Sequence, residues 1–292
     1  MDSNQREFYH DSRMITRAWV EGWVRSSTSK SGQLLLRSTP TPQTYVRLGQ
    51  VASDSQLAAM QQRIDDIMLG TAPVDYSQMA MQLDREPGTG KPGPQSRGHK
   101  GATLAYRKIQ QLEFDPVFLE YMKSPIFEEI CQRTYGVGAP VNCFRAMFMN
   151  KPAYEGTYLV WHQDRWTNLD RDPQITIYTA LDPATVDNGC VHIIPRSHQT
   201  LINSSHGSGF LTDEQIEEVA MKAEHLPLEL SAGEVALLHN WTLHSSSTNQ
   251  TEIPRRAFSI CYMDGETQVK GGGTYTRIFG EGALTLEQLQ TR

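Results

Sequence analysis

Short apolar and β-branched runs, separated by turn residues, dominate the second half of the chain. These runs are VNCFRAMFMN, TYLVWHQD, QITIYTAL, CVHIIP, LPLEL, EVALLH and RRAFSICYM. Runs of this length and composition are typical of strands in a β-sandwich or barrel. One segment, LTDEQIEEVAMKAEH, has helical spacing instead, and Thr212 and Gln215 stand in it as a capping box. The pattern predicts a mainly β fold with helical decoration.

The first half of the chain predicts a different mixture of elements. QTYVRLGQV has the composition of a strand, and the next segment has apolar positions at helical spacing behind the cap candidates Ser53 and Asp54. DPVFLEYMKSPIFEEICQRTYG predicts two consecutive helices, whereas residues 84–100 are dense in Gly and Pro and predict an irregular loop. We expect an N-terminal arm over 1–42, partly irregular, and a single domain over 43–292. The aromatic patch AWVEGW in the arm is a candidate homodimer contact.

Composition and charge narrow the classes of function. The 292 residues are 38% hydrophobic and carry a formal net charge of -6, with the basic residues scattered along the chain. Such a chain lacks the basic patch that binds nucleic acid. It also has no apolar run of the roughly 20 residues that span a bilayer. The four cysteines show no zinc-site spacing, and the start lacks the apolar core of a secretory signal, so we expect a cytoplasmic protein with no membrane or nucleic-acid partner.

Two residues in TYLVWHQDRW are candidate metal ligands. His162 and Asp164 are one residue apart, and alternate side chains of a strand share a face. A third ligand would come from the segment around EVALLHNWTLH, where His244 is the better candidate and His239 the competitor. Two imidazoles and one carboxylate suit Fe(II) with open coordination positions. The spacing alone equally permits a hydrogen-bonded His–Asp pair with ordinary buried imidazoles elsewhere.

The segments WHQDRW, DNGCVHIIPRSH and AGEVALLHNWTLHSSSTNQTEIPRRAFS, in this order, resemble the phytanoyl-CoA dioxygenase family. The resemblance covers about residues 100 to 265 and implies a double-stranded β-helix, a cupin-like jelly-roll. It implies an Fe(II)- and 2-oxoglutarate-dependent dioxygenase that also consumes O2 and releases succinate and CO2, with ascorbate as a supporting reductant. The metal ligands, which are also the catalytic residues, would be His162, Asp164 and His244.

The same resemblance implies a site for 2-oxoglutarate. The family places an arginine eleven residues after the distal histidine, which is Arg255 here, and a guanidinium suits a carboxylate. Further family contacts to the co-substrate match four positions, namely Lys108, Met147, Tyr178 and Ser246. Tyr178 departs from the family, because members carry Trp there. Family halogenases replace the metal carboxylate with a small residue, so the presence of Asp164 favours hydroxylation or a related oxidation.

The substrate is expected to be a small molecule with an unactivated C–H bond. Candidate wall residues are those that lie near the expected ligands of the metal or the co-substrate in sequence, namely Trp166, Trp241, Tyr106 and Arg165. Two other classes remain open, a catalytically inactive jelly-roll binding protein and a cupin-like zinc metallohydrolase. The second would give no reason for an arginine at the position of Arg255.

Overall fold

A computed structural model describes residues 23–26, 35–38 and 45–290. The predicted homodimer contact through AWVEGW lies outside the described residues, apart from the backbone of Trp23. Within the arm, strand β1 (Trp23–Ser26) pairs antiparallel with β2 (Leu35–Ser38). The division of the chain at residue 42 stays a prediction.

The other elements follow in chain order. The strands are β3 (Tyr45–Gln50), β4 (Ala80–Leu83), β5 (Ser96–Arg97), β6 (Tyr106–Gln110), β7 (Val141–Lys151), β8 (Leu159–His162), β9 (Ile175–Ala180), β10 (Val191–Ile193), β11 (Leu226–Leu228), β12 (Glu234–His239), β13 (His244–Ser246), β14 (Arg255–Asp264) and β15 (Thr276–Phe279). The helices are α1 (Asp54–Leu69), α2 (Pro116–Met122), α3 (Pro125–Tyr135), α4 (Asp213–Gln215) and α5 (Leu286–Gln290).

Two antiparallel sheets form the jelly-roll. The large sheet has the order β3-β12-β9-β14-β7-β6-β4-β5, with β15 also paired to β7, and the small sheet has the order β11-β10-β13-β8. This arrangement confirms the predicted mainly β fold with flanking helices. The two neighbours of β13 in the small sheet, β8 and β10, are distant from it along the chain, so sheet pairing brings the two histidine-bearing segments together.

Alternation along the strands gives the large sheet two different faces. Ile109, Phe148 and Phe258 are aligned across β6, β7 and β14 and belong to the core that packs against the helices. The ring of Phe258 lies 4.7 Å from that of Phe118 in α2. The opposite face presents the aligned trio Met147, Ser259 and Tyr178. Because that face carries polar groups as well as Ala and Met, it is the side suited to a binding site.

The helices begin where the sequence predicts caps. Ser53 and Gln56 form a capping box at α1, and the carboxylate of Asp115 accepts the backbone N–H groups of Val117 and Phe118 at α2. The predicted helix after Thr212 is shorter than its pattern suggests, because α4 passes into a π-helical turn over Ile216–Ala220. Among the described residues, no helix combines the length and apolarity that crossing a membrane requires.

Candidate metal centre

Three side chains from two distant segments converge at one end of the small sheet. His162 is the last residue of β8, His244 is the first of β13, and the two are direct partners in the strand pairing. Together with Asp164 they offer nitrogen and oxygen atoms that all lie within 4.8 Å of one another. The structure therefore brings the three predicted ligands together, although they are separated by about 80 residues of chain.

Backbone carbonyls orient both imidazoles. Nδ1 of His162 lies 2.9 Å from the carbonyl oxygen of Val160, and Nδ1 of His244 lies 2.8 Å from that of Thr242. An N–H on Nδ1 in each ring leaves the Nε2 lone pair for a metal, which is the usual arrangement of metal-binding histidines. Burial, followed by the nearby His244, lowers the pKa of His162 to about 3, so this imidazole is neutral at ordinary pH. Phe210 stacks on the His162 ring at 4.7 Å.

Asp164 reaches the site by a different route from the one predicted. The sequence suggested that strand alternation puts it on the same face as His162, but β8 ends at His162. The backbone N–H of Asp164 instead donates to the carbonyl of Asn240 at 2.8 Å, which joins the two ligand segments directly. A loop contact, rather than the pleat of a strand, therefore sets the position of the carboxylate.

Gln163, between the two ligands, is an internal anchor that the sequence reading missed. Its side chain is fully buried, and its amide nitrogen lies within 3.3 Å of three carbonyl oxygens, those of Ser197, Thr200 and Trp241. Its amide oxygen accepts the backbone N–H of Ile202 at 2.8 Å. The one residue that separates the ligands thus ties their segment to the loop that leads into His244. A long polar residue at the centre of a metal motif was the available signal.

Arg255 is buried on the inner face of the large sheet. Only 4% of it is exposed, and its Nη1 donates to the hydroxyl of Tyr178 at 2.8 Å. Its Nε is buried and has no hydrogen-bond partner among the described residues. A buried guanidinium with an unused donor suits the carboxylate end of an oxo-acid, so the residues present fit 2-oxoglutarate.

A second buried cation lies directly opposite Arg255. Lys151 is its cross-strand partner, is only 4% exposed, and donates from Nζ to the carbonyl of Thr157 at 2.7 Å. Burial, then the charges of Arg255 and Arg107, lowers the pKa of Lys151 to about 7. The sequence reading missed this residue. Its period-two spacing from Met147 in the same strand was the available signal.

The other three predicted co-substrate contacts are Met147, Ser246 and Lys108. Met147 is aligned with Tyr178 through Ser259, and Ser246 is buried at the end of β13. Lys108 is half-buried, and its pKa is lowered to about 8 by burial and then by Arg107 and Arg145, while Asp164 acts in the opposite direction. Lys108 therefore lies within electrostatic reach of the metal-ligand carboxylate.

The candidate wall residues divide into two groups. The carboxylate of Asp172 accepts the backbone N–H of Trp166 at 2.8 Å and the indole N–H of Trp241 at 3.1 Å, and it lies 4.0 Å from Nε of Arg165. These three predicted residues thus share one partner beside the ligand segments. Tyr106, by contrast, belongs to the helix-side core, where its hydroxyl binds backbone groups of residues 100 and 101.

His239, the competing ligand candidate, lies apart from the three convergent side chains. Its ring is 5.0 Å from that of His198, and its Nδ1 accepts the backbone N–H of Trp241 at 3.0 Å. Burial lowers its pKa to about 3. This histidine is therefore a buried structural neighbour of the site and not one of the three convergent side chains.

The family model of phytanoyl-CoA dioxygenase matches residues 43–257. Phytanoyl-CoA dioxygenase domain-containing protein 1 of Mus musculus is 27% identical over 170 residues, which cover 55% of this chain and 57% of that protein. The match therefore spans little more than half the length of this curated relative.

Two solved structures share the fold. EctD from S. alaskensis with 2-oxoglutarate and 5-hydroxyectoine is 20% identical, with a TM-score of 0.55 over 83% of this chain and 78% of that one. The non-heme alpha ketoglutarate dependent carbocyclase SnoK from nogalamycin biosynthesis is 16% identical, with a TM-score of 0.53 over 79% and 83% of the two chains. At this level of identity the likeness shows the jelly-roll alone.

Proposed function

The chain belongs to the phytanoyl-CoA dioxygenase family, and on that premise we propose that it is an Fe(II)- and 2-oxoglutarate-dependent dioxygenase. It hydroxylates, or otherwise oxidises, a C–H bond of a small molecule and releases succinate and CO2. The observation that carries the proposal is the convergence of His162, Asp164 and His244, with both imidazoles oriented through Nδ1. Two imidazoles and one carboxylate leave coordination positions open for an oxo-acid and O2.

Each residue then has a distinct task. His162, Asp164 and His244 hold the iron, which when bound supplies the oxidation chemistry with O2, while ascorbate keeps it reduced. Arg255 and Tyr178 anchor the far carboxylate of 2-oxoglutarate, and Lys108, Met147 and Ser246 complete that subsite. The buried position of Arg255 keeps water from the carboxylate, which strengthens the ion pair.

The rival functions leave parts of this arrangement without a purpose. A zinc metallohydrolase needs an activated water and makes no use of a buried arginine with a free donor. An inactive binding protein has no need of two histidine rings held with Nε2 available. The EctD structure contains 2-oxoglutarate, and SnoK depends on it, which supports the oxygenase.

The proposal also covers the binding partner, the cellular location and the oligomeric state of the enzyme. A net charge of -6 supports a small-molecule partner rather than nucleic acid. The four cysteines are all buried and unpaired, as is usual in the reducing cytoplasm, and this supports the cytoplasmic location. A homodimer through the N-terminal arm stays part of the proposal. Size-exclusion chromatography with light scattering is its direct test.

Anaerobic titration tests the oxygenase directly. Fe(II) and 2-oxoglutarate added together should give a visible metal-to-ligand charge-transfer band, which neither gives alone. His244→Ala should abolish the band, whereas His239→Gln, which changes a neighbouring buried histidine, should keep it. Thermal melting of both variants checks that they are folded. A wild-type protein without the band, or a folded His244→Ala protein that retains it, contradicts the proposed function.

A further inference from the structure

One arginine beside the metal centre, Arg145, has no anionic side chain within ion-pair distance among the residues that the structure describes. Arg145 lies in β7 on the same face as Met147, two residues away, and is half-buried. Its guanidinium carbon lies 5.0 Å from the ring centre of Phe144 and 4.9 Å from that of Trp166. In the part of the chain that the structure describes, no side-chain hydrogen bond or ion pair of Arg145 is formed. Its N–H groups are therefore available to a ligand.

Aromatic rings hold this guanidinium in place. Phe144 packs on Trp166 at 4.4 Å and on Tyr275 at 5.3 Å, and we call these three residues the aromatic shelf. Ring faces attract a guanidinium and leave its edge, which carries the N–H groups, free to bind. The shelf thus orients the guanidinium without using its hydrogen-bonding capacity.

The shelf and Arg145 lie next to the iron ligands. Trp166 is two residues after Asp164, and its backbone is fixed by Asp172. Arg145 acts electrostatically on Lys108, which in turn interacts with Asp164. An anion bound to Arg145 would therefore lie on the metal side of the large sheet, where the substrate of an oxygenase must be.

The balance of charge at the site also favours an anion here. A ferrous ion, the Asp164 carboxylate, the 2-oxoglutarate dianion and Arg255 together carry no net charge. Arg145 is a cation beyond this balance, in addition to Lys108 of the co-substrate subsite and Lys151 opposite Arg255, and a partly buried charge is costly unless it is paired. Arg107 has a nearby carboxylate in Asp84, whereas no carboxylate lies within ion-pair distance of Arg145 among the described residues.

We propose that Arg145 binds an anionic group, a carboxylate or a phosphate, on the small-molecule substrate, while the aromatic shelf packs against the apolar or ring-bearing part of the same molecule. The inference rests on the proposed oxygenase function and deepens it by naming a substrate class. Arg145 is a specificity residue for the substrate, whereas Arg255 serves the co-substrate. A guanidinium fork suits both anions because each offers two oxygens at the right spacing.

Three matched probes test the inference on the anaerobic Fe(II)- and 2-oxoglutarate-loaded protein. They are 3-phenylpropionate, the neutral 3-phenylpropionamide and 2-phenylethyl phosphate, and binding is followed by tryptophan fluorescence. The wild type should bind at least one anion roughly tenfold more tightly than the amide, the loss expected for a charge-assisted hydrogen bond. The better of the two anions identifies whether the site prefers a carboxylate or a phosphate.

Two variants and a control complete the experiment. Arg145→Met should remove the preference for the anion, and Arg145→Lys should keep part of it. Arg171→Met, which changes an exposed arginine paired with Asp264, should bind all three probes as the wild type does. Equal binding of anions and amide by the wild type, or an unchanged preference in Arg145→Met, overturns the inference.

The charge-transfer band separates this inference from the proposed function. Arg145→Met should still form the band with Fe(II) and 2-oxoglutarate, because Arg145 holds neither. Loss of the anion preference with the band intact supports the inference. A wild type that forms the band but shows no anion preference keeps the oxygenase and overturns only the role of Arg145.

Discussion

His162 and His244 face each other across the β8–β13 pairing, with ring centroids 4.1 Å apart. Each ring is tied through Nδ1 to the carbonyl of the residue two positions earlier in its own segment. Because both tethers are made by the backbone, the direction of each Nε2 is set before a metal arrives. Iron binding should therefore require little side-chain reorganisation.

Arg255 and Arg256 are adjacent but should have separable roles. Arg255→Met should weaken 2-oxoglutarate binding roughly ten- to a hundredfold, because it removes charge-assisted hydrogen bonds worth about 1.5–3 kcal/mol. Arg256 instead binds Asp182 through two nitrogens, at 2.6 and 2.9 Å, and also pairs with Asp65 of α1. Arg256→Met should lower the free energy of unfolding by about 2–3 kcal/mol, less than for a fully buried pair.

Calorimetric titration with 2-oxoglutarate and urea unfolding measure the two effects. Arg256→Met should retain near wild-type affinity for 2-oxoglutarate in the folded protein. If Arg256→Met proved the weaker binder of the two, the assignment of Arg255 to the co-substrate would be wrong.

Gly209 should tolerate no side chain, whereas Gly207 in the same loop should. Gly209 has a φ of +66° and an added Cβ would lie 1.9 Å from the carbonyl oxygen of Gln163, whose own N–H donates to the Gly209 carbonyl at 3.1 Å. Gly209→Ala should therefore displace the ligand segment and cost about 2 kcal/mol or more. At Gly207 the nearest atom to an added Cβ is 3.7 Å away, an ordinary contact.

The two glycine variants can be compared by thermal melting and by Fe(II) affinity from anaerobic chelator competition. Gly209→Ala should lose both stability and iron affinity, and Gly207→Ala should resemble the wild type. Equal behaviour of the two would show that the close approach to Gln163 does not position the ligands.

Gln163→Leu should damage the iron site without touching a ligand. The substitution keeps the approximate volume but leaves Ile202 N–H and three carbonyls without their buried partner. Each unsatisfied buried group costs about 1–3 kcal/mol, so we expect a marked fall in melting temperature and weaker Fe(II) binding. Gln132→Leu, at a half-buried position of α3 where the side-chain amide donates to Glu128, is the control and should change neither. A stable Gln163→Leu protein with wild-type iron affinity would refute the anchoring role.

Lys151 should make the stability of the protein depend on pH. Its pKa is about 7 in the folded protein and near 10.5 in the unfolded chain, so the unfolded chain binds more protons between these values. The free energy of unfolding therefore rises as the pH increases from 7 towards 10. The cost of burying the protonated ammonium of Lys151 is fully present below pH 7. Lys151→Met removes the penalty, so its melting temperature relative to the wild type should be most favourable at pH 6.

The measurement is a pair of melting series at pH 6, 7, 8 and 9, without iron or 2-oxoglutarate. The advantage of Lys151→Met should shrink steadily across the series. An advantage that grows with pH would mean that Lys151 is stabilised, rather than penalised, in its protonated form.

The sequence predicted the strands that bury large apolar side chains, because they appear as runs of apolar and β-branched residues between turn residues. β7 and β14 are of this kind, and in the structure both contribute large side chains to the core, Phe148 and Phe258 among them. β13 was harder to predict, since three residues, His244 to Ser246, carry too little periodicity to mark a strand. The residue pattern therefore named His244 only as the better of two candidates, and the family resemblance assigned it as the third ligand.

The residues that the sequence did not reveal act through tertiary contacts. Gln163 anchors backbone groups that lie 34 to 78 positions away in the chain, and no local pattern encodes such partners. Arg145 and Lys151 do share a strand face with Met147, but only the sheet pairing shows which face looks towards the ligands. The position of Asp164 depends on Asn240 for the same reason.

The three convergent ligands belong to the small sheet and its loops, whereas Arg255 and Tyr178 belong to the large sheet. A molecule that binds the metal at one end and pairs with Arg255 at the other would therefore link the small sheet to the large sheet. Loading of the co-substrate should slow amide hydrogen exchange in the short strands β8 and β13 more than in the long, helix-backed strands. The strands that carry the iron ligands would then become more rigid before any substrate binds.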